Sequence, residues 1–421
     1  MKILLQQALV ADLQSPHNNS TKDILIENGQ ITSIADKIDA KDATVIAEKG
    51  LVVSPGWVDS FAHFGDPGLE YRETIESGSA AATAGGYTHV LVLPNTAPVT
   101  SNKTQVEYIV QKGTATTTTV LPLGSVTKNI EGKDLAEMYD MQNSGAIAFT
   151  DGIYPVQSPG LLLKALQYVK AFDGVIVQVP VDDSLGKHGL MHEGIVSTRL
   201  GLPGIPSLAE ELIVKRDIEL LRYTESKLHF SGISTAKGLE LIKAAKLDGL
   251  QVTCSVTPFH LTFCDEDLQS YDTNLKVTPV LRSRQDMLAL REGVLNGDVD
   301  CIASHHIPHN QDNKVCEFEY AKPGMIGLQT AYAVVQTAIP SLPADKVAAL
   351  FSTNVRRIFD LQTSSVTEGS VADLTFFLPA EKSVLTRANN RSKSINSPFF
   401  DKPLTGKVAG TVHKGNVNQL N

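Results

Sequence analysis

The 421 residues contain four cysteines, Cys254, Cys264, Cys301 and Cys316, and no two of them are spaced as C-x-x-C. That speaks against a zinc knuckle or a dithiol redox motif and fits buried, reduced thiols. No apolar run reaches the roughly 18 residues of a membrane span. No charged-then-apolar segment opens the chain, so a cytoplasmic protein with no membrane partner is expected. Basic residues are the minority, 37 Lys and Arg against 46 Asp and Glu, for a formal charge of −9. A general nucleic-acid binder would show the opposite balance, so no nucleic-acid partner is expected. No G-x-G-x-x-G follows the first strand of the central region, which argues against a doubly wound dinucleotide fold. Internal repeats and low-complexity segments are also missing.

Two kinds of patterning fill the chain. Residues 1–52 alternate apolar and polar in "ILLQQALVAD", "DILIENGQITSIA" and "ATVIAEKGLVV", with Asn28-Gly29 and Lys49-Gly50 as turn signals. Period-two alternation broken by Asn-Gly predicts antiparallel strands. The C-terminal "SVADLTFFLP" and "KVAGTVHKGNV" read the same way. Neither end carries enough apolar residues for a core of its own. Residues 1–52 and 360–421 are therefore expected to form one small β-sandwich domain together.

Between them, eight apolar runs rich in Val, Ile and Thr recur with helical patterns between: "LVVSPGWVDSFAHF", "THVLVLPN", "TTTVLPLGSV", "GAIAFTDG", "GVIVQVPV", "KLHFSGIS", "LQVTCSVTP" and "DCIASHHIPH". Eight strand–helix units over residues 53–359 predict an α/β fold, a (β/α)8 TIM-like barrel. In such barrels chemistry sits where strands end. The residues to inspect are therefore His63, Asn95, Ser125, Asp151, Val179, Gly232, Pro258 and His305. No Ser-His-Asp constellation is readable among them. Asp151 reads as a turn cap and His260 as a packing or hydrogen-bonding residue. His188 and His192 fall in a loop, and Cys254 and Cys301 read as buried structural thiols.

The ordered motifs "PGWVDSFAHFGDPGLEYRETIESGSAAATAGGYTHVLVLPNTAPV", "HEGIVSTRLGLPGIPSLAEE", "HFSGIST", "KVTPVLRS", "DCIASHHIPH" and "GMIGLQTA" resemble the dihydroorotases of the amidohydrolase superfamily. The likeness runs from about Pro55 to Thr330 and returns in "EGSVADLTFF". It implies an amidohydrolase-type barrel and a hydrolase of pyrimidine biosynthesis that interconverts dihydroorotate and carbamoyl aspartate. Two divalent metals, usually zinc, would polarise the cyclic amide and generate hydroxide at neutral pH.

Carried over residue by residue, the family's pattern is broken at its ligands. The first strand of the family reads His-x-His followed by Leu-Arg; here stand Phe61, His63 and then Phe64-Gly65. Gly152 falls where the bridging Asp belongs, Val179 and Gly232 where histidines belong, and His305 on the catalytic Asp. Thr278 replaces a substrate-contacting Asn. His63 alone is securely kept among the ligands, while Asn95 and His309 are kept as substrate-binding positions. One histidine does not hold a metal at useful affinity. The resemblance thus implies an inactive-type homologue, a pseudoenzyme without intact catalytic residues or cofactor. Such relatives assemble with aspartate carbamoyltransferase, so that partner and a homodimer are expected. The alternative is an active dihydroorotase, or another cyclic-amide hydrolase, with a zinc site rebuilt from His63, His305 and a third ligand. A small-ligand sensor using Asn95 and His309 is a further option.

Overall fold

Alternation along each central run sorts its side chains into two separate cores, and this creates the barrel. The computed structural model describes residues 2–419. The barrel strands are strand 1 (Trp57–Ala62), strand 2 (Tyr87–Val92), strand 3 (Thr119–Pro122), strand 5 (Val175–Gln178), strand 6 (Lys227–Phe230), strand 7 (Val252–Val256) and strand 8 (Cys301–Ile302). Strand 4 is reduced to Phe149, which bridges Gly124 on one side and Ile176 on the other, both in parallel. Every other pairing is parallel too. The ring closes beyond strand 8: Ala62 bridges His306, and the His63 N–H donates to the His306 carbonyl at 2.8 Å. All eight expected runs occupy the ring in chain order.

Val58, Phe61, Leu91, Leu93, Leu123, Ala148, Val177, Val179, Cys301 and Ala303 share one cluster inside the barrel. Their neighbours Trp57, Ala62, Val90, Val92 and Ile176 belong to a different cluster, which meets the surrounding helices. That is the period-two geometry of a strand buried on both faces. The helices begin where the sequence supplies caps. Thr74 accepts from the Ser77 N–H ahead of Ile75–Ala84, Thr235 caps Ala236–Leu247, and Ser283 caps Arg284–Asn296. Leu208–Thr224 forms with its acidic residues in the first turn.

Both termini build one sheet. Its order is Asn416–Gln419, Pro403–His413, Leu374–Val384, Val52–Pro55, Lys2–Val10, Thr21–Glu27, Gln30–Ala35, with Thr44–Ile46 also paired to Lys2–Val10. Asn28 and Gly29 both adopt positive φ (51° and 78°), as the tight turn between Thr21–Glu27 and Gln30–Ala35 requires. Ile24, Ile26, Ile31, Val53, Leu374, Phe376 and Val412 lie in a single core drawn from the two ends of the chain.

Two boundaries depart from the sequence reading. The run "LVVSPGWVDSFAHF" splits at Gly56. Val52–Pro55 pairs antiparallel with Leu374–Phe377 in the terminal sheet, and only Trp57 onward enters the barrel. Residues 385–402 also leave the β-domain with which their position in the chain groups them. The Ser394 hydroxyl donates to the Arg72 carbonyl at 2.7 Å, and the Asn396 side chain donates to the carbonyls of Ile307 (3.0 Å) and Gly324 (3.1 Å). These residues fasten onto the barrel at its mouth. The segment is polar without periodicity, so local pattern says nothing of where it docks.

Candidate functional site

The C-terminal ends of the barrel strands bring the expected residues to one face, where apolar side chains and polar groups bonded through only part of their capacity occupy the positions between them. Phe61 is fully buried, and its ring stacks on His305 with centroids 4.2 Å apart and planes 20° from parallel. His305 holds a left-handed backbone (φ 43°), and its Nε2 lies 2.9 Å from the Ser231 hydroxyl. Its Nδ1 is buried without a partner. Burial pushes the imidazole down to about 3, and nearby His260 and His229 add to the effect. His305 is thus a neutral ring in an apolar stack.

The two glycines at the mouth are tightly packed. Gly232 has φ 78°, and a Cβ there would meet His305 Cε1 at 2.6 Å and Nε2 at 3.0 Å. Gly152 has φ 68°, and a Cβ there would lie 1.7 Å from Asn95 Oδ1. The Asn95 carboxamide therefore occupies the room of a side chain at 152. Its Nδ2 donates to the Asp151 carbonyl at 3.1 Å, and its Oδ1 is buried without a partner. Val179 is buried in the same cluster as Phe61.

The surviving histidines do not converge. His63 Nε2 sits 2.9 Å from the Asn95 carbonyl and His309 Nε2 sits 3.0 Å from the Pro323 carbonyl. A carbonyl can only accept, so each Nε2 carries the proton and each Nδ1, which has no partner, is a lone pair. Burial, the larger effect, pushes both imidazoles down to about 4. His260 is held by the Thr257 hydroxyl at 2.9 Å and the Val280 carbonyl at 3.2 Å, a packing role. Asp151 turns away to cap the loop after strand 3, accepting from the Val126 and Thr127 N–H groups at 2.9 Å each. Burial still lifts its carboxyl to about 6. His188 is exposed and His192 half-buried.

Asp59, Glu73 and Glu210 are among the buried carboxylates that escaped the sequence reading. Asp59 ties strand 1 to strand 8, accepting from the Ser304 N–H at 2.7 Å and its hydroxyl at 2.9 Å. Glu73 is fully buried and accepts from the Ser77 and Ser392 hydroxyls and, at 3.0 Å, from the Lys393 N–H. Its other neighbour is His306, whose Nδ1 accepts from the Gly327 N–H at 3.2 Å. His306 Nε2 therefore carries a proton directed at Glu73, 3.3 Å away. Burial alone would raise the Glu73 carboxyl, but His306 and the hydroxyls outweigh it and hold it below the usual range. Glu210 accepts from the Ser234 and Thr235 N–H groups and hydroxyls after strand 6. No local signal marks these acids, because "WVDS", "YRETIES" and "LAEE" read as ordinary strand and helix-start polar residues.

With this geometry described, comparison with known proteins decides the family. A Dihydro-orotase-like family profile matches residues 50–238. The dihydroorotase of Syntrophus aciditrophicus is 40% identical over 422 aligned residues, covering 99% of both chains. That of Aquifex aeolicus is 39% identical over 420, covering 99% of this chain and 98% of the relative. The chain belongs to the dihydroorotase family. Among solved structures, L-hydantoinase from Arthrobacter aurescens superposes with a TM-score of 0.85 at 23% identity, covering 100% of this chain and 97% of that one. A D-hydantoinase gives 0.82 at 18% identity, covering 99% and 95%. Both share the barrel-plus-β-domain architecture.

The metal pair implied by the family does not fit the residues present. Zinc needs about three or four His, Cys or carboxylate donors at about 2.0–2.3 Å. Phe61, Gly152, Val179 and Gly232 offer no donor side chain, and the space beside both glycines is taken. Among the described residues, the group of three such side chains close enough to share an ion is His89, Asp373 and His413. It lies at the opposite end of the barrel, where strand 2 starts. There the Arg356 guanidinium already sits 2.6 Å from Asp373 Oδ2 and 3.3 Å from His89 Nδ1, in the place a cation would take. His63 and His305 belong to no such group, so the geometry gives a rebuilt mouth site no support.

Proposed function

We propose that this chain is a non-catalytic dihydroorotase-family protein of de novo pyrimidine biosynthesis that serves as an assembly partner of aspartate carbamoyltransferase. The observation that carries the reading is the filled mouth: Phe61 stacked on His305, with Gly232 packed close against that ring. A hydrolase of cyclic amides needs an activated water and a proton carrier near the amide carbon. At this mouth the histidines are neutral and separately bonded, and Asp151 is spent on backbone N–H groups. The transferase as partner follows from the family resemblance, and a homodimer is proposed on the same ground.

A partner over the mouth is favoured by what surrounds it. Tyr71, Tyr154, Ile195, Tyr271, Val315 and Tyr320 are all exposed, Val315 at 80% and Tyr320 at 73%. They lie in the segments that follow strands 1, 4, 5, 7 and 8, on the mouth side, with Ile195 opening the short helix Ile195–Leu200. Large apolar side chains exposed at this end of the barrel are available to a protein partner.

The test has two arms. Purified protein should contain less than stoichiometric zinc and should not turn over dihydroorotate above background. It should also co-elute with the aspartate carbamoyltransferase of its own source, and a Val315→Glu/Tyr320→Glu variant should not. Stoichiometric metal with turnover abolished by His63→Ala or His305→Ala would establish the active reading instead.

A further inference from the structure

Opposite the mouth, where strands 2 and 3 start, the barrel meets the β-domain around a cleft of about 410 Å3. His89, Arg356, Asp373, His413 and Lys414 line it, together with residues 362–365 and 370–371. His413 joins two side chains from distant parts of the chain. Its Nδ1 lies 3.0 Å from Asp373 Oδ1, and its Nε2 lies 2.8 Å from the hydroxyl of half-buried Thr119. A carboxylate can only accept, so Nδ1 carries the proton and Nε2 is a lone pair. The Thr119 hydroxyl therefore donates to His413. Hydroxyl, imidazole and carboxylate stand in the order of a nucleophile, its base and the group that orients the base.

The rest of the cluster holds that order in place. The Arg356 guanidinium donates to Asp373 Oδ2 at 2.6 Å and to the Gly56 carbonyl at 2.9 Å. Burial alone would raise the Asp373 carboxyl, but His413 and Arg356 outweigh it and hold it well below the usual range. It is thus a carboxylate beside His413. His89 pairs with Thr119 across strands 2 and 3, and its ring centroid lies 4.8 Å from that of His413. Its Nδ1 accepts from Arg356 at 3.3 Å, so Nε2 carries the proton. Among the described residues every polar contact of His89 is made by Nδ1, which leaves the Nε2–H free. Burial, the largest effect, pushes this imidazole down to about 3, so it stays a neutral donor. The Lys414 ammonium donates to the Thr116 carbonyl at 3.3 Å and brings a positive charge to the same strand start.

We propose that this cleft hydrolyses small acyl esters, with Thr119 as nucleophile and His413 as its general base. Asp373 and Arg356 are positioning residues. Thr119 Oγ1 forms a bond to the ester carbonyl carbon as its proton passes to His413 Nε2. The carbonyl oxygen takes the electron pair and meets the His89 N–H and the Lys414 ammonium. The ester carbon–oxygen bond then breaks, and the leaving alcohol takes the proton from His413. Water, deprotonated by the same nitrogen, releases the acid and restores Thr119. The volume falls within the range of about 300–1,000 Å3 typical of small-molecule sites. The site lies at the far end of the barrel, so it stands whether or not the mouth is catalytic.

Hydrolysis of p-nitrophenyl acetate by the full chain tests it. Saturable turnover is expected, with an acetyl group on Thr119 in acid-quenched samples by peptide mass spectrometry. Thr119→Val, close in shape but without the hydroxyl, should lower kcat by at least about 100-fold, and His413→Gln should do the same. Thr119→Ser keeps a hydroxyl, so it should retain turnover and carry the acetyl group itself. Lys237→Ala, on the helix Ala236–Leu247, should change nothing. No turnover above buffer, turnover indifferent to Thr119→Val, or acetyl groups confined to lysines would overturn the assignment.

Discussion

If the mouth is closed by packing, adding one methyl group at Gly232 should be expensive, and most of the cost should vanish when His305 is shortened. Two terms set the cost of Gly232→Ala. The first is backbone: a φ of 78° costs a non-glycine residue about 1 kcal/mol or slightly more. The second is steric: the new Cβ would sit 2.6 Å from His305 Cε1, nearly 1 Å inside contact. His305 cannot swing aside freely, being stacked on Phe61 and bonded to Ser231. Overpacking of that kind costs about 1–3 kcal/mol, so the single variant should lose about 2–4 kcal/mol. In a His305→Ala background only the backbone term remains, about 1 kcal/mol. The double-mutant cycle should thus return a coupling of about 1–3 kcal/mol. The chain has one tryptophan, Trp57, fully buried where barrel and β-domain meet, so denaturant unfolding followed by its fluorescence reports the whole fold. A cost for Gly232→Ala below about 0.5 kcal/mol, or one unchanged by His305→Ala, would show that the mouth has room and would remove the main support for a non-catalytic reading.

The buried titratable groups predict acid sensitivity. Six histidines, His63, His89, His229, His260, His305 and His309, are pushed down to about 3 or 4, chiefly by burial. Their contribution is intact above pH about 6.5 and is lost as pH falls, because only the unfolded chain then binds those protons. Asp59, Asp151 and Asp217 are raised to about 6, again by burial, and work the other way by taking protons in the folded state. Between pH about 6 and 4.5 a net three protons favour unfolding, so stability should fall by about 4 kcal/mol per pH unit. Stability that is flat across this window by denaturant titration would refute the assignment of neutral buried histidines. Glu73→Ala strands His306, Ser392 and the Lys393 N–H, and should cost about 3–5 kcal/mol; hydrogen exchange across residues 390–397 should quicken, and unchanged protection there would refute its anchoring role. Asp151→Asn keeps an acceptor for the Val126 and Thr127 N–H groups and should cost under about 1 kcal/mol, whereas Asp151→Ala should lose about 2–3 kcal/mol by denaturant unfolding.

The barrel was legible because its signal is redundant. Eight β-branched runs each carry the alternation that separates lumen from helix-facing side chains, as Val58 and Leu91 separate from Trp57 and Val90. The Asn28-Gly29 turn was legible because its backbone demands those residues. The ligand positions were legible only through resemblance, which named Phe61, Gly152, Val179 and Gly232 but could not say what would fill the space. Two features were beyond any local reading. One is the docking of residues 385–402, because Ser392 and Asn396 find partners more than 80 residues away. The other is the set of buried acids, most of whose partners are distant in sequence, as Ser304 is from Asp59 and Ser392 from Glu73.

The same contrast explains how the strand ends of the barrel would hold together under the proposed metal-free reading. In a metal-dependent barrel the ions cross-link strand ends, and removing them leaves buried ligand atoms without a partner. Here those strand ends are joined by other means. Asp59 links strand 1 to strand 8 through Ser304, His63 bonds the Asn95 carbonyl beyond strand 2, and Asn95 bonds the Asp151 carbonyl after strand 4. His305 links strand 8 to Ser231 after strand 6. Three of these links use His63, Asn95 and His305, side chains at positions that the family resemblance assigns to the site. Placing ligand side chains at Gly152 or Gly232 one at a time should therefore lower stability before any metal binds.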